Sequence, residues 1–184
     1  MTTFAVFLRG INVGGVRIAM KDLRQVLTEA GYGNVTTLLA SGNVVLSAQS
    51  SDPARVKSHI ETILREAFGY EAWVIVKTPA EIAEIAAGYP FVPPDDGVPR
   101  HAYAVLTTGA ATAREAAAEC PAPSPGERYA ARGDVLYWEV PKGSSLDTNV
   151  AKQLARARYK PLATTRNLNT LHKVLAACDA LPER

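Results

Sequence analysis

The order of apolar patterns along residues 4–76 constrains the fold more than any other feature of this 184-residue chain. A buried strand, FAVFL, precedes an amphipathic helix that places Leu23 and Leu27 on one face. Two short strands, VTTLLA and NVVLSA, follow around a glycine-containing turn. A second helix comes next, with Asp52 suited to its cap and Pro53 to its first position, and the strand EAWVIV ends the pattern. This β-α-β-β-α-β order predicts a ferredoxin-like unit.

The same order begins again after the Pro-rich stretch YPFVPPDDGVP. HAYAVL is predicted as a strand, GAATAREAAAEC as a helix, RYAAR with DVLYWEV as a hairpin, and LDTNVAKQLARARY as a helix. KPLATT is the candidate sixth element, and NLNTLHKVLAAC is a final helix. We therefore predict an α+β fold: an N-terminal ferredoxin-like βαββαβ subdomain (1–88), a linker (89–100), and a similar βαββα-type subdomain with a C-terminal helix (101–184).

Composition excludes several classes of protein. The chain is 47% hydrophobic and 21% charged, which is ordinary for a globular protein. The N-terminal residues lack the pattern of a signal peptide, and no apolar run is long enough to span a membrane, so we expect a cytoplasmic protein with no membrane partner. The two cysteines are far apart and the three histidines are scattered, which predicts neither a disulfide framework nor a metal site. No motif identifies a cofactor.

Charge is distributed unevenly, although the net charge is only +2. Residues 141–173 contain seven basic residues and one acidic residue, whereas residues 1–140 contain 12 basic and 15 acidic residues. This asymmetry favours an anionic partner near the C-terminal segment. A solvated helix face explains the same pattern without any partner.

The predicted topology brings two loops of the first unit to one edge of its sheet. In a ferredoxin-like sheet, the end of strand 1 and the turn between strands 2 and 3 lie at the same edge, near the start of helix 1. An arginine fork and a lysine there suit a phosphate or carboxylate, and glycine allows close approach. The candidate ligand-binding residues at this edge are Arg9, Asn12, Gly14, Gly15, Lys21, Ser41 and Asn43.

The glycines of FLRGINVGG also have a plainer interpretation. Their spacing matches neither GxGxxG nor GxxxxGKS, and VRIA separates Gly15 from the first helix. Ser41-Gly42-Asn43 is common hairpin chemistry in any protein. A binding edge and a set of chain turns therefore both stay open as explanations.

A second polar cluster lies near the C-terminus in ATTRNLNTLHKVL. Threonine, arginine and asparagine residues crowd the start of the predicted last helix, where an anion is favoured, and Lys152 lies upstream in a basic segment. Helix capping by Thr165, Asn167 or both is the alternative use of these side chains. The candidate ligand-binding residues of this cluster are Lys152, Thr165, Arg166, Asn167 and Asn169.

At RGINVGG, SGN and TTRNLNT, in this order, the chain resembles a bacterial family catalogued as domain of unknown function 1697. M-x-x-L at Met20 and Leu23 and G-x-x-N-V-x-T at residues 31–37 extend the resemblance. One departure precedes SGN, where LLA replaces a Tyr-Ile-Gln-like run, so Leu38 and Ala40 remove polar or aromatic groups from that edge. The resemblance implies an α+β fold of ferredoxin-like character and cytoplasmic residence, and it implies no particular reaction.

Three functions stay open at this point. The first is a binding module for an anionic ligand, namely a nucleotide, a phosphorylated metabolite or a nucleic-acid backbone. The second is an enzyme that polarises a phosphoryl or carbonyl group, although the candidate edges offer few general bases. The third is a structural or interaction protein in which the motifs make internal contacts. The sequence identifies neither the ligand nor the oligomeric state, and it leaves open whether the two motifs serve one site.

Overall fold

The chain is described by a computed structural model over residues 1–12, 16–92, 94–144 and 147–181. Its strands and helices, in chain order, are β1 (Thr2–Leu8), α1 (Met20–Glu29), β2 (Gly33–Leu38), β3 (Asn43–Ala48), α2 (Pro53–Phe68), β4 (Val74–Lys77), α3 (Pro79–Ala87), β5 (Arg100–Thr107), α4 (Ala110–Glu119), β6 (Arg128–Arg132), β7 (Val135–Pro141), α5 (Asn149–Leu154), β8 (Ala163–Asn167) and α6 (Leu168–Asp179). The chain forms two compact units, one of Met1–Ala83 with Leu171–Arg184 and the other of Glu84–Thr170. The sequence-based limits of the two subdomains and their linker stay predictions.

The first sheet has the strand order β2-β3-β1-β4. The central strand β1 is antiparallel to both neighbours, and Val6 pairs with Val44 of β3 and with Val76 of β4. Helix α2 begins at Pro53, and its cap Asp52 accepts a hydrogen bond from the Ala54 N–H at 2.9 Å. The predicted ferredoxin-like order and this helix start are confirmed.

The core of the first unit lies between the sheet and helices α1 and α2. The helices contribute Leu23, Leu27, Ile60 and Leu64, all fully buried. Each such leucine or isoleucine is worth about 1.5–3 kcal/mol when it leaves water. The helical periodicity seen in the sequence therefore orients α1 and α2 against the sheet, and it leaves the loops at the sheet ends to carry polar side chains.

The second sheet has the order β6-β7-β5-β8, so it repeats the arrangement of the first. Strand β8 pairs antiparallel with β5, which makes it the sixth element of a second βαββαβ unit. The predicted α+β fold class is confirmed. The core of the second unit includes Val105, Leu136 and Trp138 from the sheet and Val150 from α5.

The helix predicted over LDTNVAKQLARARY is longer than the helix observed there. Helix α5 covers only Asn149–Leu154, Arg156 has an extended backbone, and a 3-10 turn follows at Ala157–Tyr159. This break carries the fully buried Tyr159 to a position where its hydroxyl donates to a Glu119 carboxylate oxygen at 2.9 Å. Tertiary packing of one aromatic ring therefore outweighs local helix propensity.

Candidate functional site

Asn12 holds together the two loops that meet at one edge of the first sheet. Its Nδ2 donates to the carbonyl oxygen of Ala40 at 2.7 Å and to that of Ile18 at 3.1 Å. Its Oδ1 accepts from the Ile18 N–H at 3.1 Å. We call residues 9–12, 16–21 and 39–43 the N-terminal loop edge. The predicted convergence of the loop after β1 with the turn before β3 is confirmed. The side-chain amide of Asn12 makes its hydrogen bonds within this contact.

The β2–β3 turn uses its polar side chains in the same way. Asn43 is fully buried, and its Nδ2 donates to the Leu38 carbonyl oxygen at 2.8 Å and to Ser41 Oγ at 3.1 Å. The Leu8 N–H donates to the Gly42 carbonyl oxygen at 2.8 Å. Both donors of the Asn43 amide therefore serve the turn.

Arg9 and Lys21 are the cations predicted for this edge. The Arg9 side chain is half-buried, and burial lowers the pKa of its guanidinium, which arginine nonetheless keeps charged at neutral pH. Lys21 is exposed in the first turn of α1. Gly14 and Gly15 lie outside the described residues. A ligand-binding role for the predicted residues at this edge stays a prediction.

A cavity of about 490 Å³ opens at one edge of the second sheet. The start of β5 and the ends of β7 and β8 meet there, because β5 is antiparallel to both: Arg100 pairs with Pro141, and Tyr103 pairs with Asn167. The Lys142 N–H donates to the Pro99 carbonyl oxygen at 2.9 Å, which keeps the end of β7 beside the start of β5. We call this space the second-sheet cavity; it is lined by Arg100, His101, Ala102, Lys142, Asn167, Leu168 and Asn169.

Helix α6 begins at the wall of the second-sheet cavity. Asn167 caps it, since its Oδ1 accepts from the Asn169 N–H at 2.9 Å. The predicted cap at Asn167 is confirmed. The Nδ2 group of Asn167 and the side chain of Asn169 form no hydrogen bond with any side chain or backbone group in the described part of the chain. Both are available to a ligand in the cavity.

The two cations of the cavity are not equivalent. Arg100 donates from Nη1 and Nη2 to the Asp96 carboxylate at 2.8 and 2.6 Å, and its Nε lies 3.6 Å from Glu139 Oε1. The Arg100 guanidinium lowers the pKa of the Asp96 carboxyl to about 2, so this acid stays ionised near neutral pH. Lys142 is exposed and forms no ion pair with a described residue. Lys142 therefore supplies the uncompensated positive charge.

The remaining predicted residues of the C-terminal cluster lie elsewhere on the second unit. Arg166 is buried, and its Nη1 donates to Thr164 Oγ1 at 2.7 Å and to the Thr165 carbonyl oxygen at 2.8 Å. Thr165 lies in the middle of the β5–β8 ladder opposite Val105. Lys152 is exposed on α5 and does not line the second-sheet cavity. Of the five residues, the cavity brings together Asn167 and Asn169.

Sequence reasoning did not include Arg100, His101 and Lys142 among the candidate residues. The signal was present in the repeated topology. In a ferredoxin-like unit, the start of strand 1 and the ends of strands 3 and 4 share one edge. Applied to the second half, this rule places the Arg100-His101 pair, Lys142 and Asn167 together, as observed.

Most of the side chains that line the second-sheet cavity are polar or basic. Across the described ranges of the chain, no group of three His, Cys, Asp or Glu side chains is placed to hold a metal ion. None of the helices in those ranges combines the length and apolar character needed to cross a bilayer. The second-sheet cavity instead offers ammonium, imidazole and amide groups, which bind oxyanions and polar ligands.

Comparisons with known proteins agree with the fold. The profile of the family described as "Protein of unknown function (DUF1697)" matches residues 1–137. The solved structure of the conserved bacterial protein SP0830 from Streptococcus pneumoniae superposes with a TM-score of 0.75 at 22% identity, covering 97% of this chain and 99% of that one. At this identity the likeness extends to the fold alone. No curated protein matches the chain.

Proposed function

The chain belongs to the DUF1697 family of proteins of unknown function, and we propose that it binds a small anionic ligand, carrying a phosphate or carboxylate group, in the second-sheet cavity. The observation that supports this function is the meeting of Lys142, His101 and Asn169 with the start of α6 around one space of about 490 Å³. The start of β5, the end of β7 and the start of α6 contribute these groups, so a ligand there contacts a preformed edge of the sheet.

The donors around the cavity match an oxyanion. Lys142 supplies a point charge, and Asn167 and Asn169 supply amide N–H groups beside the positive end of a 12-residue helix. Ala102 and Leu168 add apolar surface. No aspartate or glutamate belongs to the described lining. An oxyanion therefore finds donors around the cavity and meets no carboxylate in its lining.

A small ligand fits these observations better than a nucleic-acid backbone. The cavity lies within the range of about 300–1,000 Å³ that is common for small-molecule sites. Its second cation, Arg100, is already paired with Asp96 and lies near Glu139. Nucleic-acid binding relies on many uncompensated cations along a surface, and the net charge of this chain is only +2.

The test is an amide NMR titration of the whole chain with inorganic phosphate and, separately, with adenosine monophosphate. We expect dose-dependent shifts for the amides of Lys142, Leu168 and Asn169. Lys142→Ala should weaken binding by about tenfold to a hundredfold, because a charge-assisted contact is worth about 1.5–3 kcal/mol. Asn169→Ala should weaken binding by about threefold while leaving the Tm unchanged.

Lys160→Ala is the matched control, since Lys160 is an exposed lysine of the same unit that does not line the cavity. If Lys142→Ala and Lys160→Ala bind phosphate and the nucleotide equally well, the proposed site is wrong. Repeating the titration with single-stranded DNA distinguishes the ligand classes. Binding that is tighter than for the nucleotide and falls steeply with salt would replace a small ligand with a nucleic acid.

A structural role is favoured for part of the N-terminal loop edge, because the Asn12 and Asn43 amides are occupied by backbone carbonyls. The neighbouring Arg9, Lys21 and Ser41 keep a ligand-binding role as a separate proposal. Arg9→Ala tests it. The variant should fold and lose phosphate-dependent thermal stabilisation, whereas a variant that keeps this stabilisation would count against the ligand-binding role.

A further inference from the structure

A larger cavity, of about 630 Å³, lies in the first unit where the end of α1, the end of β3 and the start of α2 meet. Its lining includes Tyr32, Ser50, Arg55 and His59, and none of these was a candidate in the sequence. We call it the α1–α2 cavity. Its lining combines titratable and hydrogen-bonding side chains with the apolar side chains of Val56, Ala30 and Ala48. This combination suits an amphipathic small molecule.

Arg55 and His59 are placed by helix geometry. They are four residues apart in the first turns of α2, so their side chains occupy one face of that helix. The Arg55 guanidinium forms no hydrogen bond or ion pair with any residue in the described part of the chain. Its planar set of donors is therefore available to a carboxylate or phosphate in the cavity.

The Tyr32 hydroxyl is hydrogen-bonded to one ring nitrogen of His59. The Tyr32 hydroxyl lies 2.9 Å from His59 Nδ1, and the two rings are 5.6 Å apart. Burial raises the pKa of Tyr32 to about 12, so the phenol keeps its proton at neutral pH and can donate to Nδ1. A neutral imidazole that accepts at Nδ1 carries its own proton at Nε2. His59 then presents an N–H donor.

Ser50 adds a third donor. Its Oγ accepts from the Asp52 N–H at 3.1 Å, which leaves the hydroxyl proton for another acceptor. Asp52 itself accepts from the Ala54 N–H at the helix start, and it does not line the cavity. The described lining contains no acidic side chain. The α1–α2 cavity thus offers donors from a guanidinium, an imidazole and a hydroxyl beside an apolar wall.

We propose that the α1–α2 cavity is a second binding site, for a small molecule with an apolar body and one oxyanion group, held by Arg55 and His59. Tyr32 is the positioning residue that sets the tautomer of His59. This site lies wholly within the first unit and rests on different residues from the second-sheet cavity. Each proposal can therefore fail while the other stands.

The experiment is an NMR titration of the full chain with benzoate, its uncharged analogue benzamide, and inorganic phosphate. Benzoate should shift the amides of Tyr32, Arg55 and Val56, and benzamide should not shift them. Phosphate shifts at the same amides would assign the site to phosphate esters rather than to carboxylates. Shifts confined to Lys142 and Asn169 would report the second-sheet cavity and would count against this site.

Variants separate binding from folding. Arg55→Ala and His59→Gln should each reduce benzoate affinity by about tenfold with little change in Tm, because both residues are exposed. Arg24→Ala is the matched control, since Arg24 is an exposed arginine of the same unit that does not line the cavity. The proposal is overturned if Arg55→Ala and Arg24→Ala bind benzoate equally well, or if no probe shifts these amides.

Tyr32→Phe tests the positioning role with a spectroscopic readout. The ring stays in place and the hydroxyl is lost, so the imidazole ¹⁵N shifts of His59 should move from the Nε2–H tautomer toward a mixture. Benzoate affinity should fall by about threefold. A weaker affinity with unchanged imidazole shifts would make Tyr32 a contact to the ligand and would remove it as the tautomer-setting residue.

Discussion

The side-chain amide of Asn12 donates to the carbonyl oxygen of Ala40 across 2.7 Å, and so one asparagine joins the loop after β1 to the turn before β3. The same side chain also exchanges two hydrogen bonds with the backbone of Ile18. Within RGINVGG, this residue therefore organises the loop around itself. A ligand-binding role for Arg9 of the same motif stays a proposal.

Replacing Asn12 should destabilise the first unit. Asn12→Ala removes three hydrogen bonds and leaves an alanine at a φ of 56°, where an L side chain is strained. We expect a loss of about 2–3 kcal/mol in the free energy of unfolding, measured with urea. Asn12→Gly also loses the hydrogen bonds, but glycine adopts this φ without strain. The difference between the two variants therefore separates backbone strain from the loss of hydrogen bonds. If Asn12→Gly matches wild type, the hydrogen bonds contribute nothing.

Gly42→Ala should cost more than Gly10→Ala, although both glycines have φ values near +74° and +73°. A Cβ at Gly42 would meet Ile11 Cδ1 at 2.6 Å and Leu8 Cβ at 2.9 Å, whereas a Cβ at Gly10 meets nothing within 4 Å. We expect about 1 kcal/mol for Gly10→Ala and at least about 2 kcal/mol for Gly42→Ala. Equal losses in the free energy of unfolding, measured with urea, would show that the turn at Gly42 shifts enough to relieve the contacts with Ile11 and Leu8.

Arg166→Ala should lower stability rather than act through a ligand. The substitution empties a buried position and leaves Thr164 Oγ1 and the Thr165 carbonyl oxygen without this donor. We expect a loss of about 2–4 kcal/mol by chemical denaturation. Arg114→Ala, at an exposed position of α4, should stay within about 0.5 kcal/mol of wild type. An Arg166 variant as stable as that control would restore a binding role for this arginine.

Glu127 should make the second unit sensitive to acid. Burial alone would raise the pKa of this carboxyl, but hydrogen bonds from the Ser124 N–H at 2.9 Å, Trp138 Nε1 at 2.9 Å and the Val150 N–H at 3.3 Å outweigh it and lower the pKa below 4.5. The stabilisation is therefore present above the ordinary carboxyl pKa of 4.5 and is lost as pH falls through the lowered value.

Glu127→Gln measures this contribution. Urea unfolding at about pH 7 should show a loss of about 1–3 kcal/mol, and the difference from wild type should shrink toward about pH 3. Glu66→Gln, at an exposed position of α2, should leave both curves unchanged. A Glu127 variant whose difference from wild type is constant with pH would contradict the assignment.

The fold followed from local patterns, because each main helix has one apolar face with a readable period and the strands are short apolar runs bounded by turn residues. Leu23 and Leu27 on α1 and the cap at Asp52 are of this kind. The length of α5 did not follow, since the break at Arg156 serves a tertiary contact between Tyr159 and Glu119. A local pattern contains no information about such a partner.

For the candidate sites as well, the sequence determined some features and the tertiary structure determined the others. The sequence alone determined the ferredoxin-like first unit, the similar second unit, the convergence of the loop after β1 with the β2–β3 turn, and a polar cap at the start of the last helix. Only the tertiary structure decided that the Asn12 and Asn43 amides face backbone carbonyls, and that Arg100 at the second-sheet cavity is paired with Asp96. The reason is that an asparagine or an arginine bonds equally well to a ligand or to a neighbouring carbonyl, and the register of paired strands determines which of them lies within reach.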